Sequence, residues 1–108
     1  MMQQVGLESN GQTLTLQVQK QLEILLPSNP TTGYMWVEIH KGDMKFFRLD
    51  SSDIITDGSI EQYGKGGHQR WLITSISPGQ SDILFRYQQP WDDTTIDQTF
   101  QLTIVVSV

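Results

Sequence analysis

The chain has no cysteine. That absence excludes disulfides, thiolate catalysis and the commonest zinc sites together, so the fold has to be held by packing. Basic residues are scarce. Seven lysines and arginines stand against twelve aspartates and glutamates, a formal net charge of −5, and no lysine or arginine cluster appears. A phosphate backbone would be repelled, so nucleic acid is not an expected partner. Long apolar runs are missing too. Ile104-Val105-Val106 is one of the longest, far short of the roughly 20 residues of a membrane helix, so no membrane partner is expected and the chain reads as soluble. Met1-Met2-Gln3-Gln4 carries neither a basic n-region nor an apolar h-region. No signal peptide is expected, and cytoplasm, periplasm and the extracellular space all remain open as compartments. Internal repeats, low-complexity segments and helical periodicity are also absent.

What is present is one domain's worth of alternation. With 108 residues, 37% hydrophobic and 18% charged, residues 1–108 suffice for a single core and are too few for two. Leu14, Leu16 and Val18 fall on one face of a strand with Thr13, Thr15 and Gln17 on the other. Leu22, Ile24 and Leu26 repeat the pattern, with Pro27 expected to end that strand. Tyr34, Trp36, Val37 and Ile39 begin a third, which Lys41-Gly42-Asp43 closes. Phe46 to Leu49 reads as a short aromatic strand, and Ile54-Ile55 as a separate fragment. Trp71, Ile73 and Ser75 set one face of the next, and Ser77-Pro78-Gly79 reads as a hairpin turn. Ile83, Phe85 and Tyr87 follow, then Phe100, Leu102, Ile104 and Val106. About seven or eight short strands separated by turn residues predict an all-β fold, an immunoglobulin-like antiparallel sandwich without a disulfide. Trp36, Phe85, Phe100 and the alternating aliphatics are the predicted core.

Enzyme chemistry finds no footing. Gly64-Lys65-Gly66-Gly67 lacks the spacing and the following helix of a phosphate loop. It suits a bare backbone that another main chain can approach. His40 and His68 are too isolated for a metal site. Asp50, Asp53 and Asp57 do not match a calcium loop, and Asp92, Asp93 and Asp97 read as a solvated loop. The serines sit beside no strand-to-helix elbow. No catalytic residue, metal or cofactor is expected.

Two segments suit binding instead. In Asn29-Pro30-Thr31-Thr32-Gly33-Tyr34, Pro30 fixes its own φ and holds Asn29 extended, while Gly33 offers a positive φ before the strand resumes. A loop so constrained loses little entropy on docking. In Gln89-Pro90-Trp91, a tryptophan follows a proline just beyond the Ile83, Phe85, Tyr87 alternation, which places it outside the core as a candidate anchor.

In order and spacing, Leu26-Pro27-Ser28-Asn29-Pro30-Thr31-Thr32-Gly33-Tyr34-Met35-Trp36, Gly64-Lys65-Gly66-Gly67 and Pro90-Trp91 after Tyr87 together resemble the chagasin-like inhibitors of papain-type cysteine peptidases. One position departs from that family, which usually has arginine where this chain has Gln89. The resemblance implies three loops gathered at one end of the sandwich and inserted into the peptidase cleft. Asn29 to Gly33 would lie over the catalytic cysteine and histidine, with Tyr34 also in contact with the peptidase, Gly64 to Gly67 would pair with one wall, and Gln89, Pro90 and Trp91 would meet the other. It further implies a reversible, tight-binding inhibitor of papain or cathepsin L-like enzymes, monomeric when free. The competing expectation is a non-inhibitory immunoglobulin-like module for adhesion or carbohydrate binding, with Trp91 and Tyr63 as a stacking platform.

Overall fold

The alternating segments pair into two four-stranded sheets. The computed structural model describes residues 3–28, 32–40, 45–56 and 67–108. One sheet is formed by β1 (Gln3–Val5), β3 (Gln21–Ser28), β6 (Gly67–Ser75) and β5 (Phe47–Thr56), in the order β1-β3-β6-β5. The other is formed by β2 (Thr13–Gln17), β8 (Gln98–Ser107), β7 (Gly79–Gln88) and β4 (Met35–His40), in the order β2-β8-β7-β4. This is the immunoglobulin arrangement, with the first strand divided so that each half joins a different sheet. The central pairings are antiparallel, while the two short pairings β1 with β3 and β2 with β8 are parallel. The described residues include no α-helix, and single 3-10 turns stand at Leu7–Ser9 and Asp93–Thr95.

The inward faces are those the alternation selects. Leu22, Ile24 and Leu26 of β3 and Trp71 and Ile73 of β6 meet Ile83 and Phe85 of β7 and Phe100, Leu102, Ile104 and Val106 of β8, all buried. Trp71 and Phe85 stack across the sandwich with ring centroids 4.3 Å apart. Each such side chain contributes roughly 1.5 to 3 kcal/mol by leaving water. Trp36, Phe85 and Phe100 belong to this core as expected, and Phe47 and Trp71 join them.

Three expectations about elements change, and one strand had no counterpart in the sequence reading. The segment Ser77-Pro78-Gly79 does not close a hairpin, because β6 and β7 lie in different sheets and the turn carries the chain across the sandwich. Its polar groups are satisfied by the segment before β5: the Ile76 N–H donates to the Phe46 carbonyl at 2.7 Å and the Ser77 hydroxyl to the Lys45 carbonyl at 2.6 Å. Pro27 does not end β3, which continues to Ser28. Pairing to β1 stops at Ile24, so the missing N–H costs β3 no bond to that neighbour. Phe47 to Thr56 is one strand, and the polar interruption between its apolar ends contains a register shift between Leu49 and Ser51, a bulge that keeps both halves on β6. β1, three residues long, is too short to show a period in sequence.

A candidate peptidase-binding edge

Strand registers bring the strand ends that flank the three candidate segments to one end of the sandwich. Ser28, the last residue of β3, pairs with Gly67, the first of β6, which in turn pairs with Thr56, the last of β5. In the other sheet Met35, the first residue of β4, pairs with Gln88, the last of β7, one position from the Tyr87–Gln98 pair that begins β8. The connections β3 to β4, β5 to β6 and β7 to β8 therefore all leave from this end.

The β3 to β4 connection is clamped at its base. The Trp36 indole N–H donates to the Pro27 carbonyl at 2.9 Å, tying the outgoing stem to the incoming one. Gln69 of β6, buried, holds the backbone of Trp36 through both of its amide atoms. Above this clamp Gly33 has φ of +80°, the positive value that its place in the sequence predicts. The Tyr34 N–H lies 3.3 Å from the Thr32 hydroxyl, a local side-chain turn. Thr32 is exposed. Tyr34 is half-buried and continues the core upward, its ring 5.6 Å from that of Tyr87, which lies 5.1 Å from Trp36. Asn29, Pro30 and Thr31 lie outside the described residues.

The β7 to β8 connection is tied internally. A turn is closed by the Asp92 N–H on the Gln89 carbonyl at 2.9 Å, with Pro90 at the position where its fixed φ suits the bend. The Gln89 N–H donates to the Thr95 hydroxyl at 2.9 Å, and that hydroxyl donates to the Asp92 carbonyl at 2.7 Å. Asp92 caps the following 3-10 turn by accepting from the Thr94 N–H and hydroxyl at 2.9 and 2.6 Å. These bonds, the hydroxyl's foremost, hold the Asp92 carboxyl below the usual carboxylate range. Asp92 and Asp93 are thus built into the loop rather than merely solvated, since Asp93 accepts from the buried Gln88 amide. The frame presents Trp91 at 73% exposure, against 2% for both Trp36 and Trp71. Pro90 is exposed and Gln89 half-buried beside it.

Of the β5 to β6 segment, Gly67 opens β6 as a buried residue paired on both sides, so it belongs to the sheet rather than to a free loop. Gly64, Lys65 and Gly66 lie outside the described residues, as does Tyr63. Gln69, Gln88 and Thr95, which position the edge, were not singled out from sequence. Gln69 does occupy an inward position of an alternating strand, and a polar residue there is the signal that was available. No group of three or more acidic, histidine or cysteine side chains converges among the described residues. The arrangement offers shape, backbone and one large exposed ring.

The chain belongs to the chagasin family of peptidase inhibitors, whose model, described as chagasin family peptidase inhibitor I42, matches residues 15–104. It is 31% identical to amoebiasin-1 of Entamoeba histolytica over 100 residues, 92% of this chain and 94% of that protein. Among solved structures, the cysteine protease inhibitor EhICP2 from Entamoeba histolytica is similar with a TM-score of 0.86, at 18% identity, over 98% of this chain and 96% of that one. PbICP-C, solved in complex with falcipain-2, is similar with a TM-score of 0.63, at 24% identity, over 99% of this chain and 92% of that one. Members of this family are protease inhibitors rather than enzymes, and the adhesion or carbohydrate-binding alternative is not favoured by these relatives.

Proposed function

We propose that this protein inhibits papain-like cysteine peptidases by occupying the active-site cleft with the end of the sandwich from which its three connections emerge. The observation that carries the reading is the juxtaposition there of a glycine-fixed central turn, on a stem closed by Trp36 and Gln69, and a proline-framed, exposed Trp91. Papain and cathepsin L-like enzymes are the proposed targets, and the free inhibitor is proposed to be a monomer. Asn29, Pro30, Thr31, Thr32, Gly33 and Tyr34 form the central element, Gly64 to Gly66 the second and Gln89, Pro90 and Trp91 the third.

Occlusion needs no chemistry from the inhibitor. Without cysteine the chain cannot form a mixed disulfide with the peptidase thiolate, so release restores both partners. Affinity then depends on how little freedom is lost on docking. Both the cap network of residues 89–95 and the clamp beneath residues 28–36 are in place before the partner arrives. A nanomolar complex corresponds to about −12 kcal/mol, within reach of one standard interface of about 1,600 Å².

Progress curves for papain and a cathepsin L-like enzyme at micromolar inhibitor test the proposal. Competitive, reversible loss of activity is expected, with trypsin unaffected. Full papain activity, or equal inhibition of trypsin, would rule the reading out.

A further inference from the structure

Trp91 is nearly three-quarters exposed, yet one edge of its indole is not free. A side chain placed on Gly33 would bring its Cβ within 3.1 Å of Trp91 Cη2 and 3.8 Å of Cζ2, and within 3.7 Å of the Gln89 Nε2 atom. A 3.1 Å approach is closer than packed carbon atoms ordinarily make, so a side chain on Gly33 would push the ring edge back by a few tenths of an ångström. Gly33 and Trp91 belong to different connections, β3 to β4 and β7 to β8.

We infer that Gly33 is a positioning residue for Trp91: its bare α-carbon seats the indole edge, so that the central and third loops present one preset surface instead of two independent ones. This role rests on the inhibitory reading above and adds a second reason for glycine at 33, beyond its φ of +80°. A long exposed aromatic side chain otherwise samples several rotamers, and each must be given up on binding. Seated on Gly33, the ring meets the partner already oriented. Gln89, half-buried with its amide near the same α-carbon, closes the flank of the seat.

The two reasons for glycine separate experimentally. Asparagine is the side chain that best tolerates positive φ, so Gly33→Asn keeps the backbone shape while filling the seat. Inhibition constants against papain are to be measured for the parent, Gly33→Asn, Trp91→Ala and the double variant, with melting temperatures as a check on folding. Trp91→Ala is expected to weaken inhibition on the order of 30-fold or more. Gly33→Asn is expected to weaken it about tenfold in the parent but less than about threefold in the Trp91→Ala background, the non-additivity of residues in contact. In the free parent chain, nuclear Overhauser contacts between the Gly33 α-protons and the indole Hη2 and Hζ2 are expected. Equal losses from Gly33→Asn in both backgrounds, or absence of those contacts, would overturn the positioning role alone. Failure of the parent to inhibit papain would instead overturn the functional reading, and this role with it.

Discussion

Gln69 holds both backbone groups of Trp36: its Oε1 accepts from the Trp36 N–H at 2.5 Å and its Nε2 donates to the Trp36 carbonyl at 3.1 Å. β4 is an edge strand paired only to β7, and in an antiparallel strand the N–H and C=O of one residue point the same way. Gln69 therefore supplies to Trp36 what a further neighbouring strand would have supplied, from the opposite sheet. This satisfies a stretch of edge and fixes the stem of the central loop at once. Gln69→Leu should fill the volume but leave two buried backbone groups unpaired, at about 1 to 3 kcal/mol each. A urea unfolding curve should show a midpoint shift of that size. An unchanged midpoint would mean that water or a rearranged β4 replaces the amide without loss.

Gly79 is constrained by a neighbour rather than by its own torsion. A Cβ there would fall 2.1 Å from Phe46 Cε1, far inside van der Waals contact with the ring. Gly79→Ala should therefore cost about 1 to 3 kcal/mol, the usual range for overpacking, and Phe46→Leu in the same chain should return part of it. Thermal melts of the two single variants and the double variant check this. If the losses simply add, the ring and the glycine are not in conflict.

The same pair shows where sequence reading stops. Serine, proline and glycine at 77 to 79 announce a turn, and the turn is there; they carry no information about which sheet the next strand joins. The contacts that hold the turn come from Phe46, 33 residues earlier in the chain than Gly79, and from the carbonyls of Lys45 and Phe46. Strands with clean alternation, such as those bearing Leu22, Ile24 and Leu26 or Phe100 to Val106, were legible because one face is buried along their length. β5 was not, since its bulge breaks the period between Leu49 and Ser51. In the site, the positive φ of Gly33 and the exposure of Trp91 could be read from local chemistry and from a break in alternation. The Gln69 clamp and the Asp92 cap could not, because each depends on what the fold brings opposite.

Acid should loosen the edge of β5. Asp50 sits at the bulge, where the Thr74 hydroxyl and then Arg48 hold its carboxyl below the usual range. A carboxyl whose pKa is lowered on folding contributes stability that is fully present above its unfolded value, about 4, and is lost as pH falls through the folded value. The parent chain should therefore lose melting temperature more steeply than Asp50→Asn as pH falls below about 4. Parallel pH profiles for the two proteins would count against this account.

The three tryptophans should separate cleanly into two kinds. Trp36 and Trp71 are almost wholly buried, the first bonded to Pro27 and the second to the Glu38 carboxylate at 2.7 Å, whereas Trp91 stands outside the core on its proline-framed turn. Trp71→Ala should cost about 3 to 5 kcal/mol of stability, as removal of a large core ring does. Trp91→Ala should leave the unfolding midpoint nearly unchanged while weakening peptidase inhibition by about 2 to 4 kcal/mol, the range of an interface hot spot. In the parent chain, acrylamide should quench one component of the tryptophan fluorescence readily, and that component should be missing from Trp91→Phe and shielded when the peptidase is bound. A melting temperature that collapses in Trp91→Ala, with inhibition lost only in proportion to the unfolded fraction, would place the ring in the fold's stability instead of its binding surface.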